Sequence, residues 1–143
     1  MRPPASTLVV DAAILVAAAY GRSSGAILTV AQVRRLVTTD RVVQESQRRI
    51  VLGLKRPELL RPLRGFAGQM TIAQVSKLAP FMPAAEVTLR NGPASRNGLT
   101  DDAHILALAW VVEGDIWGTD RDFAGTGVAN WSTANLLRAL FQH

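Results

Sequence analysis

Five carboxylates have the types and placement for chemistry: Asp11, Glu45, Asp102, Asp120 and Asp122. Three or four carboxylates held together repel one another unless a cation lies between them. Oxygen donors in a chain without cysteine point to magnesium, with manganese as the close alternative, rather than zinc. Such a centre can activate a water and stabilise the charge of an in-line phosphoryl displacement. The chemistry implied is metal-dependent phosphodiester hydrolysis. Each acid also has a plainer reading. Asp11, inside the apolar run LVVDAAIL, can cap the helix that follows it. Glu45 can pair along its helix with Arg41, Arg48 or Arg49. Asp101 and Asp102 suit the positive end of a helix, and Asp120 and Asp122 suit a polar turn in IWGTDRDFAG.

The elements that position these residues alternate between strands and helices. TLVVD (residues 7–11) and LVTT read as short buried strands, as do DIWGT and VANWS. Helical stretches follow: AAILVAAAY, then GAILTVAQVRR with Ser23 or Ser24 as its cap. DRVVQESQRRIVLGL comes next, capped by Thr39 or Asp40. PELLRPLRGFAGQM and TIAQVSKLA (residues 71–79) also read as helical, and EVTLR as a short helix or strand. DDAHILALAWVVEG reads as a strong helix ended by Gly114, and Ser132 caps TANLLRALF. This alternation predicts an α/β fold with a mainly parallel sheet over one domain, residues 1–143. In such a sheet, ligands bind beyond the carboxyl ends of the strands. Asp11 ends the first strand, Asp120 and Asp122 follow DIWGT, and Glu45 and Asp102 lie in early helical turns near that edge.

Composition narrows the classes. Hydrophobic residues make up 48% of the 143, which argues against disorder. The absence of cysteine excludes disulfides and thiolate chemistry. The most apolar run, residues 8–19, is short and interrupted by Asp11, so neither a membrane span nor a signal peptide is expected, and the expected location is the cytoplasm. The net charge of +5 is unevenly placed, with residues 34–64 rich in arginine and residues 101–122 rich in acid. Basic surface suits nucleic acid, and equally suits a solvated helix face. His104 is expected on a helix surface or interface rather than as a ligand, and His143 at a mobile end. Trp110 and Trp117 read as core, and Trp131 as a strand edge.

These residues resemble the PIN-domain family, and most closely its ribonuclease toxins of VapC type. The resemblance rests on LVVDAAIL, VVQES, DDAHILALA and the strand leading into TDRDF, with 34, 57 and 18 positions separating Asp11, Glu45, Asp102 and Asp120. It implies a three-layer α/β/α fold with a central, mainly parallel sheet. It implies that Asp11, Glu45, Asp102 and Asp120 form an acidic quartet around one or two divalent ions. Asp122 would supplement Asp120, and Thr119 would orient their loop. The implied activity is endonucleolytic cleavage of RNA by a metal-activated water. A small antitoxin protein would cover the site, and a homodimer is the usual assembly. The alternatives are a PIN-like protein of RNA processing without a toxin role, or a module that binds RNA or a partner without cleaving. A receiver-like magnesium pocket would want a lysine late in the chain, but the only lysines are Lys55 and Lys77.

Overall fold

Strand order β3-β2-β1-β4-β5 defines one sheet, and all four pairings are parallel. The structure is a computed structural model that describes residues 2–22, 24–91, 100–119 and 123–142. The strands are β1 (Thr7–Val10), β2 (Arg35–Thr39), β3 (Thr71–Ala73), β4 (Asp115–Trp117) and β5 (Asn130–Trp131). Among the described residues seven α-helices flank them: α1 (Ala12–Ala19), α2 (Ser24–Ala31), α3 (Asp40–Arg48), α4 (Leu60–Ala67), α5 (Met82–Arg90), α6 (Ala103–Val112) and α7 (Thr133–Phe141). This is the expected α/β/α architecture. β1 lies at the centre, and Leu8, Val9 and Val10 are fully buried. Such continuous apolar runs are what a parallel sheet covered on both faces requires.

The helices start where side chains can satisfy the first free N–H groups. Thr39 accepts from Val42 N at 3.0 Å, and Ser132 from Asn135 N at 3.1 Å. Thr39 therefore caps α3, and Asp40 is freed for another task. Its Oδ1 accepts from Val75 N at 3.0 Å, which ties the start of α3 to the turn after β3. On one side α1 packs with α2, α3 and α4, while α6 packs with α5 and lies on β1, β2 and β4. The alanines of α1 keep it close to its neighbours: Ala12, Ala18 and Ala19 are all buried. None of the described helices is long and apolar enough to cross a membrane.

Three local expectations change. Residues 71–79 are not a helix. Thr71–Ala73 pair with Val37–Thr39 as an edge strand, and Val75–Phe81 form a 3-10 helix containing Pro80. Pairing with β2 outweighs helix propensity over the first three residues, and the missing N–H of Pro80 keeps the remainder from becoming a regular α-helix. The helix from residue 40 is not uniform either: after Arg48 it widens into a π-helix over Arg49–Gly53. At the end of α6 the left-handed residue is Glu113, with φ 52°. Gly114 answers a different need, because a Cβ there would lie 2.6 Å from Thr7 O of β1.

Candidate active site

The carboxyl ends of β1 and β4 open onto one cavity. Asp11 follows β1 directly. Its N–H donates to Trp117 O at 3.1 Å, which extends the β1–β4 pairing by one residue. Its Oδ1 accepts from Ile14 N at 3.3 Å and so caps α1. The carboxylate is 6% exposed and lies against the backbone of Gly118, the first residue after β4. A Cβ on Gly118 would overlap Asp11 Oδ2 and lie 2.9 Å from its Cγ. Glycine is required here for space, so that a carboxylate fits between two strand ends.

Asp11, Glu45, Asp102 and Thr119 line this cavity of about 230 Å³, with Arg49 on its wall. Glu45 comes from the second turn of α3 and pairs with Arg49 at 2.9 Å. The helix pair and the cavity lining are thus the same side chain. Asp102 immediately precedes α6, and its side chain does not accept from the first turn of that helix. Asp101 lines a neighbouring cavity of about 410 Å³, which shares Glu45 and Asp102 with the first and adds Arg41, Gln44 and Arg48. Asp120 and Asp122, the other expected ligands, lie outside the described residues, as do Arg121 and His143.

The donor set suits a hard divalent cation, since every candidate ligand is an oxygen. Among the described residues, no three of the acids and histidines come close enough to share one ion. Magnesium does not demand three, because it keeps several waters and takes one or two carboxylates directly. Asp11, buried against Gly118 with two further acids on the same cavity, fits that pattern in chemistry.

The structure corrects the reading of His104. It is not on a surface but 1% exposed, with Nδ1 2.9 Å from Thr39 Oγ1. Thr39 Oγ1 already accepts from Val42 N, so its own proton is available to donate to Nδ1, leaving the proton of a neutral imidazole on Nε2. Burial, with help from the charge of Arg41 and against that of Asp40, pushes the His104 pKa down to about 4. The hydrogen bond joins the start of α3, which carries Glu45, to the start of α6, which follows Asp102. Helix α6 gave little sign of this, since every residue from Ala103 to Ala109 is buried and the helix has no polar face to locate.

Asp115 belongs to the other end of the sheet. It accepts from Arg2 at 2.6 and 3.1 Å, from Ala5 N at 2.9 Å and from Trp131 Nε1 at 3.0 Å. Burial pushes its pKa up, but the bonds from Arg2, Trp131 and Ala5 outweigh burial and hold it below the usual carboxylate range. Trp117 is fully buried, and its Nε1 donates to Thr133 Oγ1 at 3.0 Å.

A family model described as PIN domain matches residues 9–141. No curated protein matches the chain. PIN domains are in general nucleases that use divalent metals, so the match brings hydrolysis of nucleic acid with it. The fold, the matched length and the acids gathered at the ends of β1 and β4 agree: the chain belongs to the PIN-domain family.

Proposed function

We propose that the protein is a magnesium- or manganese-dependent endoribonuclease and the toxin of a toxin–antitoxin pair, acting in the cytoplasm. One observation carries the nuclease reading: Asp11, Glu45 and Asp102, separated by 34 and 57 positions, line one cavity at the strand ends. A divalent cation bound there supplies charge neutralisation and a more acidic water. Asp11 and Asp102 hold it, with Asp120 and Asp122 as the remaining candidate ligands. Glu45, oriented by Arg49, takes the proton of the attacking water. Arg41 and Arg48 hold the neighbouring phosphates. The toxin role, a small antitoxin partner and a homodimer are supported by the resemblance of DDAHILALA and IWGTDRDF to the VapC-type branch.

The test is RNA cleavage by the purified protein, with magnesium or manganese and with a chelator. Cleavage is expected with either metal and not with the chelator, and Asp11→Asn is expected to abolish it. Cleavage by that variant at the parental rate would end the reading, and RNA bound without cleavage would favour a binding module. Asp102→Asn should weaken the metal dependence more than Asp101→Asn, measured as the metal concentration at half-maximal rate. Equal effects would reassign the ligand. Co-expression with the product of a short neighbouring reading frame should suppress cleavage if that product is the antitoxin.

A further inference from the structure

A third cavity, also of about 410 Å³ but distinct from the one lined by Asp101, adjoins the cleavage cavity and shares Ala13 and Arg49 with it. Its floor is apolar, formed by Ala13, Val16 and Ala17 of α1, and Leu54 and Tyr20 complete the wall. Two guanidinium groups border this apolar space, those of Arg22 and of Arg49, which pairs with Glu45, and that of Arg56, which pairs with Glu58 at 2.8 Å, lies beyond the Tyr20 ring. Arg49 stands at the shared wall, and Arg22 and Arg56 lie against the Tyr20 ring, 5.5 and 5.0 Å from its centre.

The backbone is built to produce this arrangement. The π-helix over Arg49–Gly53 is closed by Leu54 N donating to Arg49 O at 2.8 Å. Lys55 then takes a left-handed φ of 55°, which a lysine adopts only at a cost. Arg56 N donates back to Ile50 O at 3.0 Å. The result leaves Leu54 42% and Tyr20 42% exposed, and carries Arg56 over the ring. Widened helical turns and left-handed side chains recur at functional sites.

We infer that this cavity takes an unpaired nucleobase of the RNA substrate, from the nucleotide next to the scissile phosphate. The inference rests on the nuclease reading above and deepens it by naming the residues that would receive one base of the substrate. An apolar peptide would bury the floor but gain nothing from Arg22 and Arg49. A free anion would use the cations but not the floor. A nucleotide uses both: its base stacks on the ring and the guanidinium planes, and its phosphates meet Arg22 and Arg49. Entry of a base requires it to leave any helix, so a paired base cannot use this subsite.

The experiment is equilibrium binding in chelator, where no cleavage is expected, with three labelled RNAs of one length. They are a single strand, its duplex, and a strand of equal charge with every base removed. The protein is expected to bind the single strand about tenfold more tightly than the base-free strand. The duplex should bind no better than the base-free strand. Tyr20→Ala and Leu54→Ser should each shrink the single-strand preference to about twofold, with unchanged thermal melts. Equal affinity for base-bearing and base-free strands, or an undiminished preference in both folded variants, overturns the inference. Should the variants not fold, photo-crosslinking of 4-thiouridine RNA to the unaltered protein decides. Crosslinks at Tyr20 or Leu54 support the subsite, and crosslinks only elsewhere overturn it and leave the cavity to a protein segment. Failure of the nuclease reading is visible separately, as absence of cleavage when magnesium or manganese is restored.

Discussion

Asp11 and Asp115 are buried at opposite ends of the same pair of strands. Asp115 opens β4 beside Leu8, and Asp11 follows β1 beside Trp117. Their exposures, 2% and 6%, are nearly alike. Their company is not. Asp115 sits among donors from two parts of the chain, Arg2 and Ala5 in one and Trp131 in the other, which fasten the N-terminal segment and β5 to the sheet. Asp11 shares its cavity with Glu45, Asp102 and Arg49. Burial alone therefore marks neither residue as functional. The surroundings differ in kind: donors around a buried anion hold a fold together, whereas acids gathered beside one offer oxygen ligands to a cation.

The largest expected effect breaks the two apart. Asp11→Asn should lower RNA cleavage by about a hundredfold or more. It should change stability by less than about 1 kcal/mol, because asparagine caps a helix nearly as well as aspartate. Asp115→Asn should do the reverse. Its amide N–H₂ would face other donors, at a cost of about 2–4 kcal/mol read from denaturant unfolding, while cleavage per folded molecule stays at the parental rate. Activity loss in the Asp115 variant at a temperature where it is fully folded would collapse the distinction.

Gly118→Ala sharpens the same contrast from the backbone side. The added methyl overlaps the Asp11 carboxylate, which must turn away from its place between the strand ends. A loss of cleavage of about tenfold to a hundredfold is expected from this displacement, with destabilisation of about 1–3 kcal/mol from overpacking. A variant as active as the parent would show that the position of Asp11 against Gly118 does not matter to the reaction.

His104 gives the next effect, and its sign follows from proton binding. The folded pKa of about 4 lies below the ordinary 6.5, so between these values the unfolded chain takes up the proton first. The stability that neutral His104 contributes is therefore complete above pH 6.5 and is lost as pH falls through about 4. Its upper bound is about 3 kcal/mol. Denaturant midpoints measured from pH 7 to pH 4 should decline in the parent and decline less in His104→Gln, with Asp40 and Arg41 as the nearby charges left in place. Parallel curves would contradict the burial of a neutral ring.

The parts of this fold that were legible in the sequence are those where local signals and packing agree. β1 and β2 are apolar runs that the centre of a sheet buries, and Ser132 and Thr39 cap helices as their chemistry suggests. The gathering of Asp11, Glu45 and Asp102 followed from the rule that parallel strands present their carboxyl ends together. The misreadings have a different origin. β3 is three residues long at an edge, so its strand character exists only through β2. Gly118 reads in the sequence as one more residue of the strand DIWGT, because its reason lies 107 positions away in the Asp11 carboxylate. The pairing of Glu45 with Arg49, one of the three partners its helix offers, is found as the spacing suggests, but one-dimensional spacing does not reveal the cavity behind it.

That last pair carries the smallest stability effect and the finest test of the comparison. Arg49 and Glu45 are an i,i+4 pair with side chains 49% and 37% exposed. Such pairs contribute about 0.3–0.5 kcal/mol, and salt screens them. Arg49→Ala should thus change unfolding free energy by no more than about 0.5 kcal/mol, and the difference should vanish on going from low to high salt. Cleavage should fall by about tenfold all the same, because Arg49 both orients Glu45 and walls the cavity where phosphate would lie. Arg2→Ala is the opposite control. Arg2 reaches Asp115 and no residue of the cleavage cavity, so its loss should lower the melting temperature and leave the cleavage rate of the folded protein unchanged. If both substitutions act on stability alone, the arginine at the strand ends is a surface partner and nothing more. If Arg49→Ala acts on cleavage at constant stability, the ordinary helical pair is part of the site.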